Sequence, residues 1–142
     1  NACIPKMQTA TPAESIDCFK AVLDRDPENA VALTWLAWDV SLHAPDGEQG
    51  QVLQVTAGKL LDRAVKADPG YSYARAFRAV VAYKQGDAAA ARRYLEDFEA
   101  NDPASDARQV IEQMGLEANI AALEAAQAGT GSSTTTSTTT PD

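Results

Sequence analysis

A chain of 142 residues, 45% of them hydrophobic, is long enough for one domain with a packed core and too apolar to stay disordered. Its 20 acidic residues outnumber its 12 lysines and arginines, giving a net charge of -8. That balance argues against nucleic-acid backbone binding, which needs clustered basic residues, and leaves a protein or peptide partner open.

No run approaches about 18 uninterrupted apolar residues, so no segment here is expected to span a membrane. The chain opens on Asn1 rather than Met. The expectation is a processed or recombinant fragment, with Asn1-Ala2 as a cloning scar and an upstream signal or anchor removed. Two cysteines, Cys3 and Cys18, leave two states open. One is a single disulfide, as exported proteins use; the other is a buried helix cysteine and a loose terminal thiol.

Residues 1–10 lack periodicity and read as a lead-in. Thr11-Pro12-Ala13-Glu14 then opens a helix with a capping box. Its apolar stripe is Ile16, Phe19, Val22 and Leu23, and it stops at Asp26-Pro27. A second helix, 30–42, is apolar almost all round and must be covered on several sides. Breakers from His43 to Gly50 make a loop, and a third helix runs over about 51–67 until Asp68-Pro69-Gly70. A fourth helix spans 72–85. Gly86-Asp87 turns the chain, Gly closing one helix and Asp capping the next, which runs over 88–100. A last helical region, 104–128, is expected to split or bend near Gly115. No strand pattern is present.

Three segments end alike: FKAVLDRDP at Pro27, LDRAVKADP at Pro69 and LEDFEANDP at Pro103. The last two prolines are 34 residues apart, and the first two are 42 apart, eight more. Twelve residues before each proline stands Ser15, Ala57 or Ala91; eight before, Phe19, Leu61 or Leu95; five before, Val22, Ala64 or Phe98. Small residues let paired helices approach at one end, and large ones fill the wedge where they splay. Such a pair cannot bury its own apolar face and needs a stacked neighbour.

The pattern resembles the tetratricopeptide repeat. Ala79, Tyr83, Gly86, Asp87, Ala91, Leu95 and Pro103 stand where that motif expects them, as do Leu33, Leu36, Ala37, Ala57, Leu61, Ala64 and Pro69 in the repeat before. The resemblance covers roughly residues 12–128 and implies an all-α solenoid. It has two full repeats, a half repeat before them and a capping helix after. Two features depart from the family. Arg75 stands where the motif wants a bulky apolar residue, and the eight extra residues fall between Leu42 and Leu60. They are expected to form a longer loop and an N-terminal extension of the third helix, protruding from one edge. A second resemblance, to extracytoplasmic repeat modules of bacterial membrane-anchored cytochrome c-type biogenesis proteins, rests on Ala32 to Trp38, Leu60 to Pro69 and Ala76 to Ala79. It implies an apocytochrome c partner and an extracytoplasmic, membrane-anchored parent.

The repeat family lines its concave face with the first helix of each pair. That maps the candidate partner-binding residues to Thr34, Trp35 and Trp38 in one repeat and to Tyr73, Val80, Tyr83 and Lys84 in the next. An aromatic groove with a cation suits an extended or helical peptide. Trp35 and Trp38 share a helix face, and at least one of them is expected in the core. Arg75 and Arg78 have two readings, a clamp on a peptide carboxylate or pairing with local acids such as Asp62 or Glu96. His43 with Asp39 and Asp46 is too sparse for a metal. Asp24 to Trp35 lacks the glycine and glutamate of a calcium loop. No phosphate loop or nucleophile motif occurs. The reading is a non-catalytic peptide- or protein-binding module without a cofactor; the alternative is self-association into a homodimer. The domain is taken as 11–128, followed by a Ser/Thr-rich tail, 129–142. Thr130 to Asp142, with ten serines and threonines in thirteen residues, is by default a flexible linker, having nothing apolar to bury. If ordered, it is expected as an extended strand in a concave groove, against Trp38, Tyr73 or Tyr83.

Overall fold

The computed structural model describes residues 2–138, with side chains for residues 2–129. The described residues form helices joined by turns: α1 (Lys6–Thr9), α2 (Pro12–Arg25), α3 (Ala30–Leu42), α4 (Glu48–Ala67), α5 (Ser72–Lys84), α6 (Ala88–Ala100), α7 (Ser105–Met114) and α8 (Leu116–Thr138). The all-α expectation holds. Among these residues no helix is long and apolar enough to cross a membrane.

Helices α2, α3 and α6 begin on side-chain caps. The Thr11 hydroxyl accepts from the Glu14 N–H at 3.2 Å, Asn29 from Ala32 at 2.9 Å and Asp87 from Ala90 at 3.0 Å. Helices α2 and α4 end on Asp26 and Asp68, whose backbone is held out of the helical region ahead of a proline. The eight extra residues divide between a longer loop, 43–47 against 85–87 in the next pair, and an N-terminal extension of α4, which starts 21 residues before its proline where α6 starts 15 before its own. The loop folds back so tightly that the Pro45 carbonyl oxygen lies 1.5 Å from where a Cβ on residue 50 would sit, so only Gly50 fits there.

The lead-in is not structureless. It holds α1, four residues with no periodicity to announce them. Of the two states open to the cysteines the structure has the disulfide, Cys3–Cys18, with Cα atoms 5.6 Å apart. Cys3 is buried in a small cluster with Phe19, Ala32 and Leu36, flanked by Ile4 and Met7. The lead-in thus covers apolar surface that α2 and α3 would otherwise expose.

Helices α3 and α4 pack as neighbours, as do α5 and α6, and α4 joins the two pairs through α5. Arg75 meets Asp97 while Arg78 meets Tyr94, so α5 and α6 run antiparallel. Helices α3, α5 and α7 touch in succession and form one layer. The aligned positions behave alike. Ser15, Ala57 and Ala91 are buried, as are Phe19, Leu61 and Leu95, and then Ala64 and Phe98; Val22 alone is half-buried. The alanines that open α6 explain themselves here, since Ala88, Ala90 and Ala91 are buried along with Ala79 and Ala82 of α5.

The final helical region bends at Gly115, in the left-handed conformation at φ +64°. Helix α8 does not double back along α7. Arg92 meets Glu117 and Glu124, and Gln127 donates to the Gly86 carbonyl at 2.8 Å. Rising numbers on α8 thus meet falling numbers along α6, and the two run antiparallel. Helical backbone continues to Thr138, where an ordered tail was expected to be extended. The expected contacts of that tail fall outside the described side chains.

Candidate functional site

The tryptophans of α3 and the aromatics of α5 meet in one row. Trp38 stacks on Phe77 with centroids 4.4 Å apart, Trp35 meets the same ring edge-on at 5.2 Å, and Tyr73 tilts against both at 5.4 and 5.6 Å. Offset and edge-on pairs are the arrangements that ring quadrupoles favour. The row exists because 35 and 38, and 73, 77 and 84, fall on single faces of helices that lie side by side. Phe77 at its centre is buried, while Trp35, Trp38, Tyr73 and Tyr83 are half-buried.

Polar ends fix the rings. The Trp35 indole N–H donates to the Tyr71 hydroxyl at 2.8 Å, and the Tyr73 hydroxyl donates to Asp106 of α7 at 3.1 Å. Burial pushes the Tyr73 phenol above its usual range, and donation to Asp106 adds to that. Burial likewise raises Tyr71, against the bond from Trp35, which lowers it. Lys84 closes the other end. Its ammonium lies 5.1 Å over the Trp38 ring and 3.5 Å from the Ser41 carbonyl, and burial lowers its pKa.

Two of the residues mapped to this face, and the candidate Arg75, take other places. Thr34 is fully buried and its hydroxyl has no hydrogen-bond partner among the described residues. Val80 is 3% exposed and belongs to the main core. Helix α3 is apolar all round, so spacing alone does not say which face its neighbours leave open. Arg75 points away from the row. It donates to Asp97 at 3.0 Å and to the Pro69 carbonyl, and Arg78 lies 4.3 Å over Tyr94 and donates to Asp62 at 2.9 Å. Local pairing therefore describes both arginines. Two members of the row, Phe77 and Tyr71, were missed as site residues. Phe77 stands four after Tyr73, a spacing that places it on the same face.

Beside the row lies a buried polar pair. Ser15 of α2 donates to Oδ2 of Asp39, which is fully buried, and also faces the Pro12 carbonyl at 3.1 Å. The Asp39 Oδ1 is 3.0 Å from Nδ1 of His43, which is equally close to the Asp39 carbonyl. Both neighbours of Nδ1 are acceptors, which assigns the ring proton to it. The serine meets the aspartate rather than the imidazole, so nothing here would activate its oxygen.

The geometry offers aromatic surface, one cation and hydrogen-bonded ring edges, the equipment of recognition. No protein-family model matches the chain, and no curated protein matches it.

Proposed function

We propose that this chain is a non-catalytic interaction module of tetratricopeptide-repeat type, and that the aromatic row of α3 and α5 receives a segment of a protein partner. The observation that carries the reading is the row itself, interlocked rings with half-exposed faces and the Lys84 ammonium at one end. Rigid aromatics lose little freedom on binding and give large contact area. The helix-pair repeat is supported by the equal burial of Ser15, Ala57 and Ala91 at one register position. In this reading Trp35, Trp38, Tyr73, Tyr83 and Lys84 touch the partner, and Thr34 and Val80 hold the helices behind them.

The disulfide favours an oxidising compartment, in keeping with an extracytoplasmic module of a membrane-anchored parent. The resemblance to cytochrome c-type biogenesis modules makes apocytochrome c the first partner to try. Peptides spanning haem-attachment segments, Cys-x-x-Cys-His, should shift the tryptophan emission saturably, and Trp38→Ala should abolish the shift. No shift with any candidate peptide, and none with unfolded apocytochrome, rejects the reading.

A second reading, self-association, is favoured by four exposed apolar side chains at the α3–α4 edge, Leu42, Val52, Leu53 and Val55. Sedimentation at micromolar concentration separates the two. A stable dimer lost on Val52→Ser and Val55→Ser supports this one.

A further inference from the structure

The elbow at Gly115 leaves a space that the aromatic row does not use. Helix α7 makes little contact with α6, whereas α8 returns to α6, with Leu116 and Ile120 buried in the shared core and Arg92 paired to Glu117 and Glu124. Between them lies an open cleft of about 710 Å³, within the ~300–1,000 Å³ range of ligand pockets. Its floor is apolar: Leu95 and Phe98 of α6, Ile111 of α7, and Leu116 and Ala121 of α8. It shares no residue with the row.

The charge on its lips selects an occupant. Glu96 and Glu99 stand one helical turn apart on α6, and Glu112 faces them from α7. None of the three makes an ion pair among the described residues. Arg92, at one end, is already held by Glu117 and Glu124 at 2.6 and 2.7 Å. That leaves Arg108 as the one unpaired cation among the described lining residues, against three unpaired carboxylates.

We propose that this cleft is a docking site for an amphipathic segment of another protein, whose apolar side chains enter between α6 and the elbow and whose lysines or arginines pair with Glu96, Glu99 and Glu112. An apolar floor alone would accept any greasy segment. Carboxylates on both lips reject an acidic one and orient a basic one, because like charges placed across an interface are costly. The net charge of -8 assists encounter in the same sense. The site is independent of the aromatic row and stands or falls separately.

The test is fluorescence anisotropy of a labelled peptide of leucine and lysine at helical spacing, titrated with the full chain. The control peptide has glutamate for every lysine. The lysine peptide should bind and the control should not. Exchanging Glu96, Glu99 and Glu112 together for glutamine should weaken binding about tenfold, the scale of three exposed ion pairs. Ala121→Trp, at an exposed position whose indole would fill the cleft, should abolish it, and Trp38→Ala should leave it unchanged. The proposal is overturned by no binding up to millimolar concentration, by equal binding of both peptides, or by full affinity in the triple glutamine variant. Binding that persists in Ala121→Trp overturns it too. Loss on Trp38→Ala would move the peptide to the aromatic row, against this proposal and in favour of the earlier reading.

Discussion

Ser15 and Asp39 are the point at which individual residues depart most from their counterparts. Forty-two residues on, the corresponding positions hold Ala57 and Val81, both fully buried. The Ser15 hydroxyl has one proton and faces two acceptors, and it makes the hydrogen bond to the Asp39 carboxylate, whose other oxygen has the His43 ring only as a neighbour at 3.0 Å. Removing one partner of a buried polar pair strands the other, whereas replacing both with apolar groups is often neutral or better. Ser15→Ala alone should therefore cost about 1–3 kcal/mol in urea unfolding. The double variant Ser15→Ala with Asp39→Val, which copies the later repeat, should return to within about 1 kcal/mol of the parent or exceed it. His43, with its side chain 38% exposed, can turn to water when Asp39 is gone. Additive losses in the double variant would refute the coupling.

Among the helices, α8 is attached to α6 by the buried Leu116 and Ile120 and by a charged fork at Arg92. Hydrogen bonds from Arg92 hold the Glu124 carboxyl below its ordinary range, and the Glu124 and Glu117 bonds raise Arg92. A carboxyl depressed in the folded state stabilises docking fully above the unfolded glutamate pKa, and that contribution is lost as pH falls through the folded one. Acidification below the ordinary glutamate range should then speed amide exchange in α8 before it does in α5. In Glu124→Gln the pH dependence of α8 should flatten. Equal pH profiles for parent and variant would show that apolar contacts, such as those of Ile120, do the holding. Helix α8 also marks the limit of what the sequence reveals. Gly115 announces a break, but a glycine does not state the direction of the bend, and the cleft follows from direction. The helix ends were legible because prolines, glycines and capping side chains punctuate them. Helix α1 was not, because four residues carry no period and their position depends on a crosslink. The row was legible at Trp35, Trp38 and Tyr73, which share faces. Thr34 and Val80 were misplaced because neighbours, rather than spacing, decide which side of an apolar helix is covered.

For the molecule as a whole, substantial packing joins each helix only to those one or two places away in sequence. Such a stack has two ends where apolar faces lack a neighbour, and each needs a cover. At one end it is α8. At the other it is the lead-in, with Cys3 buried against Phe19 and Leu36. The Cys3–Cys18 crosslink closes a loop of 15 residues, for which chain entropy predicts about 3 kcal/mol. Reduction, or Cys3→Ser with Cys18→Ser, should lower the thermal midpoint by an amount matching that figure, and should speed amide exchange in α2 more than in α6. An unchanged midpoint would mean that Ile4 and Met7 keep the cover in place without the bond.

The same neighbour-only packing has a mechanical consequence. A pull on the two ends of the chain finds no brace between distant helices, so the load passes through every seam in series, as through the coils of a spring. Compliance then adds from seam to seam, and the weakest one sets the force at which lengthening begins. The crosslink takes the stretch between residues 3 and 18 out of the load path. At about 3.4 Å per extended residue, that stretch withholds roughly 50 Å of length. A molecule stretched in the oxidised state should fall short of a reduced one by that amount, with the difference released in a single step when the bond is cut.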